Sequence, residues 1–200
     1  MIDNRTIFTR IKVAKLELDS ENRGLQIAWN FIRGKITSAK FASVVFQDQE
    51  VLDNSGIGGF FTTKSFVNIL YLSKDYLRDG KIKFNDDEAV ATFLHECSHY
   101  LHLVSNHGRY SQKDDEVVKT LPLSSMKITP KSRYYTEREA WAISLGLDKI
   151  FRLGLTDSIN KINARNMLLV EKSLGMRKIT MDEIEKIETT MTIDQFHWKD

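Results

Sequence analysis

Hydrophobic positions divide this chain of 200 residues into helical and extended stretches. Leu25, Ala28, Trp29 and Ile32 fall on one side of a helix that Ser20 can cap and Gly34 can end, so residues 20–32 are expected to be helical. Ahead of it, Ile7, Ile11, Ala14 and Leu18 keep a helical spacing, whereas Ile11, Val13 and Lys15 alternate; helix is the favoured reading of residues 3–18. FASVVFQD, residues 41–48, is rich in β-branched and aromatic side chains and reads as a strand. Beyond the turn-forming DNSGIGG, the runs GFFTTKS and FVNILYLS meet around Lys64 and Ser65 as an expected hairpin. KDYLRDGKIKFN then holds a short helix or turn.

The next stretch, NDDEAVATFLHECSHYLH from Asn85 to His102, opens with helix punctuation. Asn85 can cap it, Glu88 completes a capping box, and Asp86 and Asp87 suit the positive end of the helix dipole. An apolar run follows, and then His95, Glu96, Cys97, Ser98 and His99. Residues four apart lie one turn apart on the same face, so His95 and His99 can direct two imidazoles at one ion. Glu96 sits about 100° round the helix, beside that ion, where a carboxylate can take a proton from an activated water. This is the H-E-x-x-H pattern, here inside a strongly apolar helix where two histidines without partners would be costly to bury.

Downstream, residues 108–132 are polar, contain both prolines and show little periodicity, as expected of a connection that walls or covers a cleft. YYTEREAWAISLGLDKIFRLG reads as a helix capped by Thr136, with Glu139 closing a capping box. Its apolar stripe is taken as Ala142, Ile143, Gly146, Leu147 and Ile150; stepping back one turn lands on Glu139. Glu137 then aligns with Ser144 and Asp148 on the solvent face. Two further amphipathic helices are expected from Thr156 to Gly175 and from Met181 to about Met191, packed on the outside, with a frayed DQFHWKD tail.

A zinc ion used in chemistry takes three protein ligands and keeps an open position. Glu139 can complete a His, His, Glu set with Zn2+, and His107 can instead give three histidines. His102 is expected to be an outer hydrogen-bond donor, and Tyr134, Tyr135 or His107 are candidates to stabilise an oxyanion. Cys97 is the chain's one cysteine, which excludes an internal disulfide framework and fits a reducing compartment. A net charge of +2 with interspersed lysines and acids offers no nucleic-acid footprint. Neither a signal-peptide core nor an apolar run of membrane-spanning length is visible, so a cytoplasmic location is expected.

HECSHYLH followed by YTEREAW resembles the minimal gluzincin metallopeptidases, most of all the small ImmA/IrrE-type and phage-encoded peptidases. The resemblance covers residues 56–150 and includes GGFFTTKSFVNILYLS, similar to the hairpin such domains place before the metal helix. It implies that His95 and His99 are zinc ligands, Glu96 the general base, and Glu139 of Glu139-Ala140 the third ligand. The HGRY from His107 is also similar to SprT-like proteases, in which a His after the metal helix is the third ligand; the gap here is short for that family. The expected fold class is α+β, a small antiparallel or mixed sheet packed on a zincin-type helix plus additional helices. Residues 1–200 are expected to form a single domain with a core at about 40–153, an N-terminal helical segment 1–35, and C-terminal helices 156–191 packed on it. The expected partner is a peptide or protein substrate, with no nucleic acid and no membrane. A non-catalytic, zinc-stabilised interaction domain is the alternative.

Overall fold

A computed structural model describes residues 9–37, 43–50, 60–64, 67–106 and 130–185. Two small sheets pack against helices in an α+β arrangement. The first sheet has the order β1-β3-β5-β4, from β1 (Thr9–Lys12), β3 (Ser43–Gln47), β5 (Val67–Ser73) and β4 (Phe60–Lys64). β1 and β3 run antiparallel, β3 and β5 parallel, and β5 and β4 antiparallel. The second is β2 (Glu17–Leu18), β7 (Lys81–Ile82) and β6 (Leu77–Arg78), in that order. Asp79 and Gly80, both at positive φ, form the two-residue turn of its hairpin, the backbone conformation that Asp-Gly accepts.

Strand β3 lies between β1 and β5; Val44 and Phe46 join the hydrophobic core, and Val45, on the opposite face, is buried as well. The hairpin of β4 and β5 forms as the paired apolar runs predict, with Lys64 opposite Val67 beside its turn. Residues 9–18 correct the helical expectation: they form β1, a 3-10 turn at Val13–Lys15, and β2. Short alternating segments are decided by the strands that pair with them, here β3 and β7. Residues 3–8 lie outside the described residues.

Helix α1 (Arg23–Thr37) buries Leu25, Ala28, Trp29 and Ile32, the side that the spacing predicts. Its cap is Asn22 rather than Ser20: Asn22 Oδ1 accepts from the Leu25 N–H at 3.1 Å. Gly34 does not end it; the helix continues three residues further. Helix α2 (Asp87–Asn106) carries the histidines. Asp86, not Asn85, accepts the Ala89 N–H at 2.7 Å, while Asn85 takes a bond from Arg78 and Glu88 pairs with Lys161. From Ala89 to Ser98 only Thr92 is more than slightly exposed, so this part of α2 is enclosed by protein on nearly every side.

Helix α3 (Pro130–Phe151) begins almost two turns before Thr136, with proline suited to a first turn. Residues 107–129, with most of the polar connection and His107, lie outside the described residues. Helix α4 (Thr156–Ser173) packs against both α2 and α3 and buries Ile159, Asn163, Ala164, Met167 and Leu168. It is therefore part of the core, not an outer layer. Helix α5 (Met181–Glu185) follows, shorter than the expected segment to Met191, whose remainder lies outside the described residues. Among the described residues no helix is long and apolar enough to cross a membrane.

Candidate metal centre

Two helices build the centre. On α2, the i, i+4 spacing sets the His95 and His99 rings edge to face, with centroids 4.5 Å apart. Their Nε2 atoms are 3.1 Å apart. Across from them α3 presents Glu137, whose Oε2 lies 3.2 Å from His95 Nε2 and 3.6 Å from His99 Nε2. The structure thus brings Glu137, not Glu139, to the histidines. Glu139 is exposed, two residues and about 200° of helix away from Glu137, so it faces the opposite side.

The phase of α3 explains the exchange. Its inward face is Tyr134, Glu137, Ala140, Trp141, Ser144, Leu147 and Asp148, whereas Ala142 and Ile150 are exposed, Ile150 at 73%. Ser144 and Asp148 look like solvent residues by type, but each has a partner inside. Ser144 Oγ donates to the Ala140 carbonyl at 2.9 Å and lies 3.0 Å from Ser98 Oγ. Asp148 accepts from the Leu155 N–H at 2.9 Å and from the Thr156 hydroxyl, which ties α3 to the start of α4. Buried polar groups are tolerated when bonded in this way. The signal that could have found the face is Trp141, the largest fully buried side chain among the described residues, which lies one turn from Glu137.

Trp141 also stacks on the His95 ring, with centroids 4.0 Å apart and planes at 22°. Asn166 of α4 donates to Glu137 Oε2 at 3.4 Å, a contact that sequence reading missed because its helix was placed outside the core. Glu96 is on α2, 8% exposed, and its charge acts on His99. Cys97 is buried away from the cluster, and burial, then the charge of Glu96, raises its thiol well above the ordinary range. Tyr134 is enclosed in the core, where burial pushes its hydroxyl up to about 12; Tyr135 is partly exposed beside it. The side chain of His102 lies outside the described residues.

Protonation within the cluster is divided unequally. Burial lowers the His95 pKa to about 4, against the opposing pull of the Glu137 carboxylate beside it. His99 moves up: burial alone would lower it, but the hydrogen bond and charge of Glu137 and the charge of Glu96 outweigh burial. Burial pushes Glu137 up, but the two histidines beside it outweigh burial and hold it far below the usual carboxylate range. The rings' Nε2 atoms can share one proton, with His99 donating and His95 accepting.

A divalent ion fits these residues. One ligand atom each from His95, His99 and Glu137 lies within 4.8 Å of the others. Zinc bonds of ~2.1 Å in a tetrahedron give ligand–ligand edges of about 3.4 Å. The three observed edges are 3.1, 3.2 and 3.6 Å. His-Glu-x-x-His with a distal glutamate on a separate helix is therefore the class of zinc-binding site that the fold defines, consistent with a gluzincin-like arrangement. In comparison with known proteins, the chain matches no family model, no curated protein and no solved structure.

Proposed function

We propose that this chain is a zinc-dependent metallopeptidase that hydrolyses peptide bonds, with His95, His99 and Glu137 as ligands and Glu96 as general base. The observation that carries the reading is the convergence of the two Nε2 atoms and one Glu137 oxygen beside a glutamate placed next to the first histidine. When bound, Zn2+ supplies Lewis acidity, bringing the pKa of water toward neutrality and polarising a carbonyl oxygen. The chain's own residues do the rest. Glu96 takes the proton of the attacking water and returns it to the leaving amine. Glu137 would offset part of the charge of the ion and the two imidazoles would bind it as neutral donors, while the stack of Trp141 on His95 restricts that ring.

A peptide substrate is supported by the sheet. Among the described residues β4 pairs with β5 on one side only and packs over α2, so its outer edge offers backbone groups to an added strand. The single buried cysteine is in keeping with a reducing, cytoplasmic setting.

Glu96→Gln tests the assignment. The variant keeps Zn2+ by metal analysis and loses about 100-fold to 10,000-fold of its hydrolysis of an unfolded protein substrate such as casein. Cleavage at the parent rate removes Glu96 as the base. A second reading, a non-catalytic domain stapled by zinc, draws on the burial of His95 and on the way the cluster joins α2 to α3. It predicts metal retention in both proteins with turnover in neither.

A further inference from the structure

His95 Nδ1, Trp141 Nε1 and both ends of the Asn163 amide are buried without a hydrogen-bond partner among the described residues. His95 and Trp141 are already adjacent, as their stacked rings show. Asn163 is brought to them by the register of α3 and α4. These helices are joined by a short connection and run antiparallel. They are pinned at one level by Asp148 with Leu155 and at another by Glu137 with Asn166. Eleven residues separate Glu137 from Asp148, and eleven separate Leu155 from Asn166, so the two helices advance in step between the pins. One turn in from the Glu137 level, Asn163 therefore stands opposite Ala140 and Trp141. It is 0% exposed, on the side of α4 that joins the shared core.

We propose that Asn163 is a positioning residue for the metal centre: its amide oxygen, through one buried water shared with Trp141 Nε1, holds the Nδ1–H of His95. The His95 nitrogen that faces His99 and Glu137 is Nε2, so the ring offers a metal its lone pair there only when its proton sits on Nδ1. Nδ1–H and the indole N–H are both donors and cannot satisfy each other. Asn163 Oδ1 is an acceptor at their level. A water between them accepts from the two N–H groups and donates to Oδ1, the number of bonds usual for buried water. Asn163 lies outside residues 56–150, so the motif that identifies the ligands does not reveal it.

This inference rests on the metal-site reading, and its test separates the two. Zn2+ affinity is measured on the full chain by competition with a chromophoric chelator, for the parent, Asn163→Leu and Asn163→Asp, with thermal unfolding of each metal-free protein as a check on folding. Leucine keeps the volume without the acceptor, and aspartate keeps the acceptor. The expected result is binding about 10–100-fold weaker for Asn163→Leu, as for loss of an outer partner of a ligand, with Asn163→Asp within about threefold of the parent. Parent affinity in Asn163→Leu, or an equal loss in both variants, overturns the proposal. Long-range 15N–1H spectra of the metal-free parent read the His95 tautomer without any variant. Nδ1–H in slow exchange with solvent supports the role of Asn163, and Nε2–H overturns it. A parent that takes up no Zn2+ ends the metalloprotein reading, and the tautomer then decides the role of Asn163; it decides equally if Asn163→Leu does not fold.

Discussion

Ser98 Oγ and Ser144 Oγ lie 3.0 Å apart in the buried seam between α2 and α3. Each also reaches a carbonyl of its own helix, Ser98 that of Leu94 at 2.6 Å and Ser144 that of Ala140 at 2.9 Å, and since a hydroxyl has one proton, one serine donates within its helix while the other donates across the seam. The contact fixes which face of α3 meets α2. Ser98 is three residues from His95 and Ser144 is two turns from Glu137, so the same phase that joins the serines delivers the carboxylate to the imidazoles.

The two hydroxyls should be coupled. Ser98→Ala and Ser144→Ala each lower stability by about 1 kcal/mol, and the double variant loses less than the sum because neither hydroxyl is left without the other. Urea denaturation of the three variants measures the coupling. Strict additivity would mean that the serines are neighbours without a shared bond.

Glu137 and Glu139 make opposite predictions. Glu137→Ala weakens Zn2+ binding on the order of a hundredfold or more, beyond what outer partners of a ligand carry, while Glu139→Ala leaves it unchanged. Metal content after dialysis distinguishes them. Loss of metal in Glu139→Ala alone would put the wrong face of α3 inward.

Stability of the metal-free protein should peak near pH 6.5. His95 has its folded pKa lowered to about 4, so its contribution is present above the unfolded value of 6.5 and is lost as pH falls through the folded one. His99 is raised, so its contribution is present below 6.5 and is lost as pH rises through its folded pKa. Glu137, depressed, adds a further loss below the ordinary carboxylate value of 4.5. A single histidine contributes a slope of at most about 1.4 kcal/mol per pH unit. Unfolding in chelator from pH 4 to 9 measures the curve, and His99→Gln should flatten the alkaline limb. A steady rise across the whole range contradicts the assignment.

Zinc must also displace the proton that His99 holds. Affinity falls as pH drops through the raised His99 pKa, by up to about tenfold per unit for each proton displaced. Calorimetry in buffers of different ionisation enthalpy counts the protons released. Binding that is independent of pH between 5 and 8 would remove His99 from the ligand set.

Trp141 combines packing with orientation of His95. Trp141→Ala costs about 3–5 kcal/mol of stability as a large core truncation, whereas Trp141→Phe keeps a ring beneath the imidazole and costs less. Thermal unfolding measures both. Near-parent stability of Trp141→Ala would mean that the indole is not part of the closed core.

What the sequence determined by itself is what depends on near neighbours along the chain. The inward side of α1 and the pairing of His95 with His99 follow from helical spacing alone, because residues three and four apart share a face wherever the helix packs. The hairpin of β4 and β5 is likewise local, since two short apolar runs separated by a turn have each other as first partners. Tertiary structure decided the rest. Residues 9–18 became extended because β3 and β7 supply their hydrogen bonds from a distance. On α3, Ser144 and Asp148 turned inward because Ser98 and the start of α4 satisfy them there, and that rotation exchanged Glu139 for Glu137. Hydropathy assigns a serine or an aspartate to solvent; only a partner across the interior makes its burial favourable, and that partner is not written in the helix's own spacing.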